Sequence, residues 1–149
     1  MDPTREPPTV RACVDASLVL HLLLYDEHDA AVVDLWQEWA VQRTRVICPV
    51  LLYAEVTSVL RLRVSTGRLT PEEGDAAFRA FNALGVQRLD RDDLHLRAWT
   101  LSARYGTRRA YDMTYLALAQ LENCDLWTGD ERFVNTLAGR EPQVHWVHA

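Results

Sequence analysis

Short apolar runs recur along the chain, each bounded by turn-forming or acidic residues and each separated from the next by stretches with helical spacing. Arg11–Asp15, Arg45–Cys48, Val86–Leu89, Asp125–Thr128 and Val144–Val147 are too short for helices and read as strands, the last of them edge-like. Pro49 is read as the end of the second. Helices are expected at roughly 18–25, with Ser17 as its cap, and from about Asp29 to Val41, where Ala31, Leu35, Trp36 and Trp39 share a face. Residues 50–66 form a long amphipathic helix stopped by Gly67. Thr70-Pro71-Glu72-Glu73 has the form of a capping box with proline in the first turn. It opens a helix that carries Ala77, Phe78, Phe81 and Leu84 inward and stops at Gly85. Asp92 starts a helix through Leu94, Ala98 and Leu101 to about Tyr105, and further helices fall near 110–122 and 131–138. Strands alternating with helices over the whole length predict an α/β fold with three layers: a central, mostly parallel sheet with helices on both faces. In such sheets ligands bind beyond the carboxyl ends of the strands, where Asp15 closes the first strand and Asp130 follows the fourth.

Bulk properties narrow the class. With 149 residues, 48% hydrophobic and 25% charged, the chain fits one globular domain over 11–149, after a flexible, proline-rich N-terminal tail at 1–10. The longest apolar run, Val14–Leu24, is broken by Asp15, Ser17 and His21, so no membrane span is expected, and the tail lacks the pattern of a secretory signal. Cys13, Cys48 and Cys124 are odd in number and widely spaced in apolar segments. They read as buried thiols of a reducing, cytoplasmic compartment. The net charge of −5 argues against a general nucleic-acid binder. All sixteen basic residues are arginine, including the local groups Arg61, Arg63, Arg68 and Arg104, Arg108, Arg109; arginine suits phosphate, but solvated helix faces explain these groups equally well.

Four carboxylates carry the chemical argument, each with a plain structural alternative. Asp15 lies between strand and helix, where aspartate often turns or caps the backbone, although Ser17 is available for that work. Gly129-Asp130 before a helix is an ordinary N-cap setting. Asp112 falls in a first helical turn, favoured there by the helix dipole, and Tyr115 and Leu116 on its face point it toward the interior. Glu55 is the residue a purely structural role explains least. It stands mid-helix among Leu51, Leu52, Val59 and Leu62, with no basic residue three or four positions away. A buried ionised carboxylate without a partner is costly and requires a proton or a cation. If all four meet, each close pair repels by about 4 kcal/mol at an effective dielectric near 20, and a divalent cation reverses that sign. All-oxygen donors suit Mg²⁺ or Mn²⁺. No histidine neighbours the four, and His21, His28, His95, His145 and His148 lack ligand spacing, which argues against zinc.

These residues stand in segments that resemble PIN domains, and among them the toxin half of VapBC-type toxin–antitoxin pairs. The matching segments are Val14-Asp15-Ala16-Ser17-Leu18-Val19, then Cys48-Pro49 through Glu55-Val56, then Ala110-Tyr111-Asp112 through Ala119, and Leu126-Trp127-Thr128-Gly129-Asp130-Glu131-Arg132-Phe133. Their order and spacing follow the family from about residue 11 to 147, and Gly67–Glu73 resembles its usual helix junction. The family's four acidic positions fall on Asp15, Glu55, Asp112 and Asp130, with none substituted. Trp127 is bulkier than usual, and Arg108-Arg109 stand where small or polar residues are common.

The resemblance implies an Mg²⁺- or Mn²⁺-dependent endoribonuclease, with one or two ions, that cuts single-stranded RNA to a 5′-phosphate and a 3′-hydroxyl. Asp15 and Asp112 would be the main ligands, Asp130 would complete the cage or hold a second ion, and Glu55 would ligate through water or orient the attacking water. Ser17 and Thr128 are candidate supporting hydroxyls, with backbone capping as the alternative. A homodimer and a small antitoxin partner are also implied. Leu22 and Trp39 are candidates for those contacts, although core packing explains them better. A catalytically inactive PIN domain serving as a protein- or RNA-binding module is the alternative, against which the intact acidic positions argue. A dehalogenase-like phosphatase or a receiver domain fits poorly: Ser17 stands where the second aspartate of Asp-x-Asp belongs, and no lysine is present.

Overall fold

The computed structural model describes residues 9–24 and 29–148; the expected N-terminal tail, up to residue 8, lies outside the described residues. Twelve elements follow in order: β1 Arg11–Val14, α1 Ala16–Leu23, α2 Ala30–Gln42, β2 Arg45–Pro49, α3 Leu51–Ser65, α4 Pro71–Ala83, β3 Gln87–Leu89, α5 Leu94–Tyr105, α6 Tyr111–Leu121, β4 Asp125–Thr128, α7 Glu131–Leu137 and β5 Val144–Trp146. The strands form one sheet in the order β3-β2-β1-β4-β5, with every neighbouring pair parallel.

The central strand shows why both faces must be covered. Successive strand residues point to opposite faces, and Ala12, Cys13 and Val14 are all buried. On one face α6 packs across β1, β2 and β4, with α5 against α6, and the Cys13 thiol donates to the Tyr115 carbonyl at 3.7 Å. Elsewhere α1 packs on β4 and gathers α2, α3 and α4. Trp39 is buried and Leu22 packs against the core, as the core reading of both held.

Local chemistry sets the helix ends. The Thr70 hydroxyl accepts from the Glu73 N–H at 3.1 Å while the Glu73 carboxylate accepts from the Thr70 N–H at 2.8 Å, the reciprocal capping box expected there. Three expectations need correction. Ser17 does not cap α1; Asp15 does, accepting from the Leu18 N–H at 3.0 Å. Helix α5 begins at Leu94 rather than at Asp92, and the Asp93 before it makes no cap because Arg91 grips its carboxylate through Nε at 2.8 Å and Nη2 at 2.9 Å. Phe78 is 42% exposed; Phe81, three residues on, takes the core position instead.

Cys13 and Cys48 are buried and Cys124 is half-buried, all as free thiols. Burial pushes the Cys48 thiol up to about 12, far from thiolate reactivity. Among the described residues no helix is long and apolar enough to cross a membrane.

Candidate active site

Parallel strands all deliver their carboxyl ends to one edge of the sheet, and the candidate site lies along that edge. Asp15 follows β1, Asp130 follows β4 after Gly129, and Glu55 sits in the second turn of α3, directly after β2. Helix α6 returns the chain to the start of β4, so its first turn, which holds Asp112, lies at the same edge. The β1–β4 register pairs Val14 with Trp127, which sets Asp15 beside Thr128.

Asp15 is the most constrained of the four. It is 7% exposed, and its Oδ1 accepts from the Ser17 hydroxyl at 2.6 Å as well as from the Leu18 N–H. Its Oδ2 accepts from the Thr128 hydroxyl. Ser17 in turn accepts from the Gly129 N–H at 2.9 Å, and Thr128 from the Asp130 N–H at 3.0 Å. The two hydroxyls therefore tie Asp15 to the turn that carries Asp130, rather than merely capping backbone. Burial pushes the Asp15 carboxyl up to about 6; the hydrogen bonds from Ser17, Thr128 and Leu18 hold it down, and the charge of Asp130 adds to the rise.

Glu55 and Asp112 are shifted by the carboxylates around them. Desolvation raises the Glu55 pKa, the neighbouring Tyr115 hydroxyl lowers it, and Asp112 and Asp15 raise it further. Desolvation, then Asp130, raises Asp112. Asp112 is nevertheless exposed, so it stands at the rim and not in the interior as its helical neighbours implied. Asp130 caps α7, its Oδ1 accepting from Arg132 at 3.0 Å and Phe133 at 3.3 Å. The capping role expected of an aspartate in that position is therefore present beside its place in the cluster. Glu55 is half-buried, but its face does not stay buried: Leu62, two turns on, is 59% exposed.

Two neighbours were invisible to sequence spacing. The Tyr115 hydroxyl is buried beside Glu55 and has no hydrogen-bond partner of normal geometry among the described residues; the charges of Glu55 and Asp15 add to burial in raising its pKa. The His21 ring lies on Gly129, where a Cβ would stand 2.5 Å from Nδ1 and 2.6 Å from Cε1. Glycine at 129 is thus required by close approach. Of the arginine groups, Arg61, Arg68, Arg104, Arg108 and Arg109 are exposed, whereas Arg63 is buried.

The PIN domain family model matches residues 12–137. The chain belongs to the PIN-domain family. Two curated members of the family resemble it over most of its length. Ribonuclease VapC9 of Mycobacterium tuberculosis is 34% identical over 123 residues, covering 83% of this chain and 88% of that protein. Ribonuclease VapC3 of the same organism is 32% identical over 145 residues, covering 97% of this chain and 96% of that protein. Among solved structures, a toxin–antitoxin complex from Klebsiella pneumoniae shares the PIN fold with a TM-score of 0.65 at 17% identity, over 90% of this chain and 95% of that one.

For a PIN domain the question is whether these residues suit a hard cation. The donors are all carboxylate oxygens, no cationic side chain forms an ion pair with any of the four among the described residues, and the three resolved shifts are all upward. That chemistry fits Mg²⁺ or Mn²⁺. Among the described residues no three Asp, Glu, His or Cys side chains stand at coordination spacing. The four are coupled by charge without forming a finished cage.

Proposed function

We propose that the chain is an Mg²⁺- or Mn²⁺-dependent endoribonuclease that hydrolyses single-stranded RNA and serves as the toxin of a toxin–antitoxin pair. The observation that carries this reading is the gathering of Asp15, Glu55, Asp112 and Asp130 at one sheet edge, where every resolved shift favours the protonated form. The similarity to two ribonucleases, VapC9 and VapC3, supports the reaction class.

Asp15, Asp112, Asp130 and Glu55 would hold the cation, one ion or two. When bound, the metal would lower the pKa of water and stabilise charge on the phosphate. The chain's own residues supply position. Ser17, Thr128 and the Leu18 N–H fix both oxygens of Asp15. The α7 cap engages Oδ1 of Asp130, while Oδ2 takes no part in that cap. Glu55, made more basic by desolvation, would accept a proton from the attacking water as the water oxygen bonds to phosphorus. The bond from phosphorus to the 3′-oxygen breaks, that oxygen takes up a proton, and the products carry a 5′-phosphate and a 3′-hydroxyl.

The same reading makes residues 11–149 a single PIN domain, places it in the cytoplasm as a homodimer, and gives it a small antitoxin partner. The solved relative is itself a toxin–antitoxin complex. Expression of the chain with and without Asp15→Asn, followed by mapping of new RNA 5′ ends, tests the activity. Discrete cuts that need Asp15 are expected; identical RNA profiles would overturn it.

A further inference from the structure

A recess of about 430 Å³ is lined by Leu51, His95, Arg109, Ala110, Tyr111 and Thr114. Its volume lies within the range of small-molecule sites, about 300–1,000 Å³. Two of its walls are elements of the candidate active site. Tyr111 immediately precedes Asp112 and Thr114 follows it by two residues on α6, while Leu51 stands one turn before Glu55 on α3.

Its chemistry is the inverse of its neighbour's. None of the six lining residues is acidic, and two carry basic groups, in a chain of net charge −5. Arg109 is exposed and makes no ion pair among the described residues. Tyr111 is 56% exposed. A free guanidinium, an open aromatic face, an apolar wall and an imidazole together match a phosphate, a base and a ribose.

We propose that this recess holds one nucleotide of single-stranded RNA next to the phosphate that is cut. Tyr111 stacks the base, Arg109 binds the backbone phosphate, and His95 contacts the sugar or base edge. The inference rests on the nuclease reading above and names where its substrate is gripped. Charge decides the occupant: the carboxylate cluster repels a polyanion, and the recess supplies the Arg109 guanidinium to compensate.

The test uses the full chain carrying Asp15→Asn to prevent cleavage, titrated with a short fluorescein-labelled single-stranded RNA of mixed sequence and followed by anisotropy at several salt concentrations. Tyr111→Ala is expected to weaken binding roughly 5- to 150-fold, and Tyr111→Trp to restore it, because stacking needs only an aromatic face. Arg109→Ala is expected to weaken binding and to lower the salt slope by about 0.7, one phosphate's worth on a single strand. Both positions are exposed, so the fold tolerates these changes. Unchanged affinity in Tyr111→Ala and Arg109→Ala, or a Tyr111→Trp chain as weak as Tyr111→Ala, overturns the proposal. Loss of a partner protein with RNA binding intact overturns it as well. The chain with Asp15 restored separates the two claims. If it cuts the same RNA while the recess variants bind normally, only the recess assignment fails; if it cuts nothing, the nuclease reading falls and takes the recess with it.

Discussion

Thr128 donates its hydroxyl proton to the Asp15 carboxylate, joining the ends of two neighbouring parallel strands where both chains leave the sheet. The bond makes the orientation of a buried acid depend on a residue 113 positions away in sequence. Removing the hydroxyl leaves Oδ2 of Asp15 buried with one donor fewer. Thr128→Val is therefore expected to destabilise the protein by about 1–3 kcal/mol at neutral pH and to raise the Asp15 pKa further, because a hydrogen bond that favours the ionised form is gone. Denaturant unfolding and carboxyl titration by NMR measure the two effects. An unchanged Asp15 titration would show that this hydroxyl does not hold the carboxylate.

Asp15 lies at about 6 in the folded protein against an ordinary 3.8, so folding favours its protonated form. Its contribution to stability is fully present below about pH 4 and is lost as pH rises through about 6. Above that the ionised group costs the metal-free protein about 3 kcal/mol. Asp15→Asn removes the ionisation and keeps the shape. In chelator, the variant is expected to be more stable than the parent at pH 7, with the gap closing toward pH 4. Urea unfolding across that range checks it, and a gap independent of pH would contradict the assigned shift.

Gly129 is pinned by His21. A methyl group at 129 would meet the imidazole at 2.5 Å from Nδ1. Gly129→Ala is expected to cost about 1–3 kcal/mol through overpacking. Pairing it with His21→Ala should recover most of that loss. Thermal unfolding of the single and double variants gives the coupling, and strict additivity would mean that the two residues do not press on each other.

Cation binding should stabilise the fold. Mn²⁺ at about 100 times its dissociation constant is expected to add about 2.7 kcal/mol to the parent. Asp15→Asn and Asp130→Asn should lose most of the increment, while a substitution on the far surface, such as Val41→Ala, should keep it. Melting curves with and without EDTA read this directly.

Much of the fold was legible because its determinants are local. The Thr70–Glu73 capping box depends on four consecutive residues and stands as read, and the strand-helix alternation carries over to the parallel sheet. What sequence could not show were competitions and long-range contacts. Arg91 captures Asp93 and shifts the start of α5. Asp15 takes the cap that Ser17 was expected to fill, which frees Ser17 to bond Gly129 far along the chain. Helical spacing placed Asp112 beside buried Tyr115 but could not reveal that the first turn of α6 opens to solvent. Glu55 was singled out by its missing partners, whereas the Tyr115 hydroxyl beside it sits on another helix and left no trace in spacing.

The most direct test of the account is cleavage of end-labelled single-stranded RNA by the purified chain in Mn²⁺, in EDTA and with Asp15→Asn, with the product ends identified. The account expects fragments bearing 5′-phosphates in Mn²⁺ alone, and intact RNA in the other two. Equal cutting in EDTA or by the Asp15→Asn chain, or fragments ending in a 2′,3′-cyclic phosphate, would contradict it.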